Sequence, residues 1–464
     1  MVKFLKITAA IVILLLLFYF VFFKYRQIQA NKILIPATTQ TLFKINVDEL
    51  YKTLAVSYLK HPSQYAGTDK NSIREKIADL NSGLRIPANI YIYALKGTAK
   101  NTLFTRLEIA DTSAFNHFIL KKLALLKKDA HFFESADSTF GLLVNKKTVS
   151  IAFNMAKEPI RHILEEIHDQ NNMVKISDSK FAQMASLSDH LSFQDAENLS
   201  KINFTDGKID FSSEFENKWI EPAAEPRHRM LNPESTLSFW LNGKIKSDLT
   251  EKNHTMSLSL LSKDSFFRFY QDYVDFEWTK TVTQVDTIVG YEYNDDFEQV
   301  EKKILRDRKI PSITINLNSD DKAVSNYLKS LGALDQSTGK ISSAMIPLYQ
   351  FYFRGSNGNV QLSTIKSAKP DVKRASSDDF FYFKVDFKKL INQTSIPLIA
   401  DKLGTFSQLE IKAKSIGKNK IKLESELLFL NKDANALMQV LKVFQNGFKS
   451  ALDLNLSVDI PVSK

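Results

Sequence analysis

The residue types and spacing best suited to chemistry are His162, Glu165 and His168 in the stretch HILEEIH. On a helix each third residue steps back by about 60°, so these three side chains fall within an arc of about 120°. Such an arc could hold a divalent cation. A zinc-protease helix instead carries His at i and i+4 with Glu between them, and this spacing does not provide that. The same residues also form a solvated face opposite Ile160, Ile163 and Ile167, and that is the reading adopted.

Other motifs fail on spacing. GALDQSTGKIS (332–342) has six residues between Gly332 and Gly339, where a phosphate loop needs four, and Ile341 follows Lys340. No Gly-x-Ser-x-Gly elbow occurs. The chain has no Cys, which removes disulfides, thiolate nucleophiles and Cys-ligated zinc together. All eight His precede residue 255. The sequence nominates no catalytic, cofactor-binding or metal-ligating residue, and no cofactor is expected.

Four Asx residues, Asn46, Asp111, Asn242 and Asp386, each follow an apolar strand-like run and precede a helix-like one. A side-chain oxygen there can accept from the free N–H groups of a first helical turn, contributing about 1 kcal/mol. They are expected to be caps. The elements they punctuate recur along the chain. IPATTQTLFKIN (35–46) alternates Thr41, Phe43 and Ile45 on one face, and VDELYKTLAVSYL then takes helical spacing. RIPANIYIY (85–93) reads as a strand, LFTRLEIADTSAFNHFILKKL (103–123) as strand then helix, and KINFTDGKIDFSSEF (201–215) as a hairpin over Asp206-Gly207.

The second half echoes the first. NPESTLSFWLN (232–242) repeats IPATTQTLFKIN, KIPSITINL (309–317) repeats RIPANIYIY, and KIKLESEL (420–427) repeats KIDFSSEF (208–215). LFKINVDEL (42–50) also returns as FYFKVDFKKL (381–390), out of that order. The expectation is a tandem duplication: a first α+β domain over 33–218, a Pro-rich linker over 219–234 and a second α+β domain over 235–464.

Ahead of these domains, residues 1–32 hold Lys3, Lys6, Lys24, Arg26 and Lys32 and no acid. Of the 62 basic residues, 57 remain to face 52 acids, so half of the net +10 lies in this leader. So balanced a body has no electrostatic footprint for nucleic acid. ITAAIVILLLLFYFVFF (7–23) is long enough, at roughly 25 Å as a helix, to sit in a bilayer with Lys6 and Lys24 at its edges. The fold class expected is therefore α+β, with an N-terminal transmembrane helix followed by two related, mainly antiparallel sheet-plus-helix domains. The lipid bilayer is the expected partner of residues 7–23, with the body outside the cytoplasm on the periplasmic side of a bacterial inner membrane.

Together with LLFLNKDANALMQVLKVF (427–444), where a last strand runs into an Asn-Ala-Leu helix, this layout resembles a loose group of uncharacterised bacterial exported proteins. Those have one N-terminal anchor and a duplicated α+β body with proline-led strands, and the present chain departs from them in lacking a lipidated Cys. The resemblance implies no site residues. The function expected is a binding or scaffold role with a protein partner in the cell envelope. The alternatives are a carrier of an apolar ligand or lipid, and a hydrolase with an unrecognised site.

Overall fold

Thr39–Asn46 (β1) ends in Asn46, whose Oδ1 accepts from the Glu49 N–H at 3.3 Å and starts the helix Val47–Lys60 (α2). The same device recurs where Asp111 Oδ1 accepts from the N–H groups of Ser113 and Ala114, starting Thr112–His117 (α3). Asp386 likewise accepts from Lys389 N–H at 2.9 Å. Asn242 is not a cap: it lies inside a strand, accepting from Arg227 N–H at 2.7 Å. A cap absent from the sequence reading is Asp320, which accepts from Ala323 N–H at 3.0 Å.

The computed structural model of the chain describes residues 24–30, 32–65, 82–196, 198–246, 268–293, 297–366, 374–393, 403–417 and 419–443. Packing divides it into a first unit, 1–213 with 432–464, and a second, 214–431. In the first unit β1 is joined by Asn89–Leu95 (β2), Thr102–Ile109 (β3), Phe140–Val144 (β4), Thr148–Asn154 (β5), Leu191–Asp195 (β6) and Asn198–Thr205 (β7). Their order is β7-β6-β1-β2-β3-β5-β4, antiparallel throughout. Side chains of alternating parity feed two cores, so the sheet is buried on both faces. Leu143 and Ala152 pack with Ile163, Leu164 and Ile167 of the helix Arg161–His168 (α4), while Leu142, Val149 and Ile151 pack with Phe115 of α3.

In the second unit the strands are Leu237–Ile245 (β8), Tyr273–Tyr293 (β9), Gln299–Asn318 (β10), Tyr352–Ser356 (β11), Asn359–Ser363 (β12), Asp379–Asp386 (β13), Phe406–Gly417 (β14) and Lys420–Phe429 (β15). Their order is β15-β14-β13-β8-β9-β10-β12-β11, again antiparallel. Seven strands of this sheet, from β14 to β11, match β7 to β4 of the first one for one. The echo at 35–46 and 232–242 falls on equivalent strands, β1 and β8. The echo at 85–93 and 309–317 does not, because β2 corresponds to β9 and not to β10. The repeated phrase at 381–390 falls on β13, the counterpart of β6, and shares with β1 only its capping residue.

The expected fold class is overturned. The described residues are mainly β, with 48% in strands against 22% in helices, and not α+β. Among the described residues no helix is long and apolar enough to cross a membrane, and the run 7–23 lies outside them. The strand content was underestimated because β9 and β10 run for 21 and 20 residues with much of β10 exposed, which erases the apolar alternation that marks a half-buried strand. Residues 219–234, expected as a linker, are bound in place: Ile220–Pro222 pairs with β8 and Arg227–Arg229 pairs with Arg374–Ser376.

Candidate functional site

A cavity of about 680 Å³ opens in the first unit beside the helix 24–30 (α1). Four pieces of chain build it. Tyr25, Arg26 and Gln29 come from α1, Ile86 and Pro87 from the segment entering β2, Tyr91 and Tyr93 from β2, and Arg106, Leu107 and Glu108 from β3. Gln170 and Met173, just past α4, close it. Alternation places Tyr91 and Tyr93 on one face of β2, and β2 meets β3 with Tyr93 opposite Phe104. Phe104 is fully buried, and Arg106 has the same parity, so a cation stands on the core-facing side of its strand.

Two arginines at the mouth are paired. Arg26 lies 2.9 Å from Asp48 and donates to the Ile86 carbonyl at 3.2 Å, and Arg85 lies 3.1 Å from Glu108. Arg106 differs. Among the described residues it has no carboxylate; the Gln170 amide, with its oxygen toward Arg106, accepts from Nη1 at 2.9 Å and Nη2 at 3.1 Å. Gln170 itself sits at φ 59°, a left-handed conformation uncommon outside glycine, and that conformation carries its amide at the end of α4. Arg106 Nε is buried without a partner, and so is Tyr93 Oη, whose residue is only 2% exposed. Burial lowers the pKa of Arg106, and burial likewise pushes Tyr91 up to about 12 and Tyr93 higher still. Both phenols are therefore neutral donors at physiological pH.

Two other buried polar groups show what a satisfied cluster looks like in this chain. In the second unit Arg229 donates through Nε and Nη2 to Asp275 at 3.0–3.3 Å, and its Nη1 lies 2.9 Å from Glu277. Asp275 also accepts from Tyr273 Oη and Asn316 Nδ2, both at 2.9 Å, and Glu277 accepts from Ser235 Oγ at 2.8 Å. In the first unit Lys44, 1% exposed, donates to the carbonyls of Met184, Ala185 and Leu187, closing the end of the short helix Ala182–Ser186 (α5). Burial lowers its pKa to about 8. These groups hold structure, and their hydrogen-bonding capacity is taken up within the protein. The wall at Arg106 and Tyr93 retains unused donors. A smaller hollow of about 510 Å³ lies at Ser319 and Asp320 in the second unit, beside the start of the helix Asp321–Ser330 (α6), where Asp320 is already occupied as the cap.

The sequence by itself points to no site residue. Of the side chains considered, His162 and Glu165 are exposed on α4, Glu165 is bonded to Arg161 at 3.0 Å, and His168 Nε2 lies 3.2 Å from Asn145 Nδ2. The structure does not draw the three together around an ion, and no group of three His, Asp or Glu side chains among the described residues is placed to hold one. What the reading missed is Arg106. Its signal was present in LFTRLEI, where an Arg shares parity with a core Phe. The chain matches no protein-family model, no curated protein and no solved structure.

Proposed function

We propose that the chain is a ligand-binding protein whose first unit holds an amphiphile with one anionic end group. One observation carries this: two buried donors without partners, Tyr93 Oη and Arg106 Nε, belong to residues that line the cavity. Leaving a buried donor unmade costs about 1–3 kcal/mol, and an arriving anion would remove that cost twice. A carboxylate is an acceptor-only group that matches a guanidinium and a neutral phenol. Ile86, Leu107 and Met173 supply apolar surface for the rest of the molecule, and the volume lies within the roughly 300–1,000 Å³ of small-molecule sites. The lining residues include no His, Ser or Cys, and the carboxylate among them, Glu108, lies 3.1 Å from Arg85.

The test is titration of the full-length chain with a dansyl-labelled medium-chain fatty acid and with the matching alcohol. The acid should saturate at one equivalent and bind about tenfold or more tightly than the alcohol. Arg106→Gln should bring the acid to the level of the alcohol while the alcohol is unaffected. Equal binding of acid and alcohol by the unmodified chain, or saturation by neither, overturns the proposal.

A further inference from the structure

The far part of the β9–β10 hairpin, from Thr281 opposite Pro311 to Tyr293 opposite Gln299, extends past the strands that flank it. β8 pairs with β9 only over Tyr273–Trp278, and β12 pairs with β10 only over Thr314–Asn318. Residues 299–309 are all exposed, including Leu305 at 71%, and among the described residues no strand covers their outer edge. An uncovered two-stranded ribbon is marginal in water, and a long free edge is a template for another strand.

We infer that this edge of β10 pairs with the same edge of a second copy of the chain, antiparallel and about a two-fold axis at Leu305. The charges select this arrangement. A two-fold normal to the sheet keeps each side chain on its own face, so residue i can oppose only a residue of the same parity. Centred on Leu305, that rule sets Glu301 against Lys309, Lys303 against Asp307 and Leu305 against itself. Among the described residues none of these four charged groups has an ion-pair partner in its own chain. The unfavourable match, Lys302 against Arg308, involves two cations already paired with Glu292 and Asp286 across their own hairpin. Neighbouring registers fail: centred on residue 304, Glu301 meets Asp307, and centred on 303 or 306 a cation meets itself. The free edge of β9 offers no such match, since the charges among its described side chains from Thr281 outward are Asp286 and Glu292.

The absence of native Cys gives a clean test. Opposed Cβ atoms in an antiparallel pair lie about 4.5–5.5 Å apart, close to disulfide reach. In the full-length chain Leu305→Cys should oxidise to a covalent dimer, and Val285→Cys, exposed on β9, should not. By sedimentation, Lys303→Asp and Asp307→Lys should each weaken the dimer by about tenfold or more, and the two together should restore it. A chain that stays monomeric at tens of micromolar, equal crosslinking through Val285→Cys, or a double variant as weak as the singles overturns the inference. So does an open polymer, which would signal pairing of β9 with β10.

Discussion

Replacing Arg229 by Met tests whether residues 219–234 are held by buried charge. The guanidinium is 10% exposed, and its partners Asp275 and Glu277 are 0% and 8% exposed at the side chain. Removing the cation leaves two carboxylates buried without a counter-charge, and breaking such a pair from one side costs about 3–5 kcal/mol. For a unit of this size that corresponds to a fall in Tm of roughly 6–20 °C. Urea unfolding followed by tryptophan fluorescence reads this selectively, because Trp219, Trp240 and Trp278 all lie in the second unit. Trp240 also stacks on His228, next to Arg229, at 3.9 Å. Arg229→Lys should recover part of the loss, keeping the charge without the forked geometry. A deficit below about 1 kcal/mol would refute the reasoning.

Two further outcomes are expected in the first unit. Lys44 has a folded pKa of about 8 against roughly 10.4 unfolded, so the unfolded chain binds more protons between those values and stability should rise with pH across that window. The rise should end near pH 10, where the raised pKa values of Tyr91 and Tyr93 act in the opposite direction; urea midpoints should show a flatter slope for Lys44→Met. Gly83→Ala should cost more than about 2 kcal/mol by thermal unfolding, since Gly83 sits at φ +67° and an added Cβ would lie 2.3 Å from the Asp111 carbonyl oxygen, at the cap of α3.

What the sequence disclosed was local. Asn46, Asp111 and Asp386 were readable as caps because a cap needs one side chain and the three residues after it. The inner face of α4 was readable because Ile163, Leu164 and Ile167 repeat at helical spacing. Asn242 was misread because its partners, Arg227 and Asp272, lie 15 and 30 residues away and no local pattern distinguishes it from a cap. The prolines of 221–235 suggested a linker for the same reason: the carboxylates that hold Arg229 come 46 and 48 residues later in the chain. Arg106 was visible as an anomaly of parity. That it lacks a carboxylate became visible only once Glu108 was found turned to Arg85.

The division of the chain also sets an order of events at the ribosome. Asn435, 1% exposed, receives a backbone bridge from Asp206, donates its N–H to Tyr65 Oη at 3.0 Å and its amide to the Phe204 carbonyl, so residues just past 431 complete the first unit. The 218 residues from 214 to 431 are made in between. At about 5–20 residues per second the nascent first unit waits on the order of 10 to 45 s for its last piece, while the later-made second unit already has its whole sequence. The second unit can thus finish folding first, leaving the surface around Tyr65 and Phe204 open in the interval to whatever chaperone attends the nascent chain.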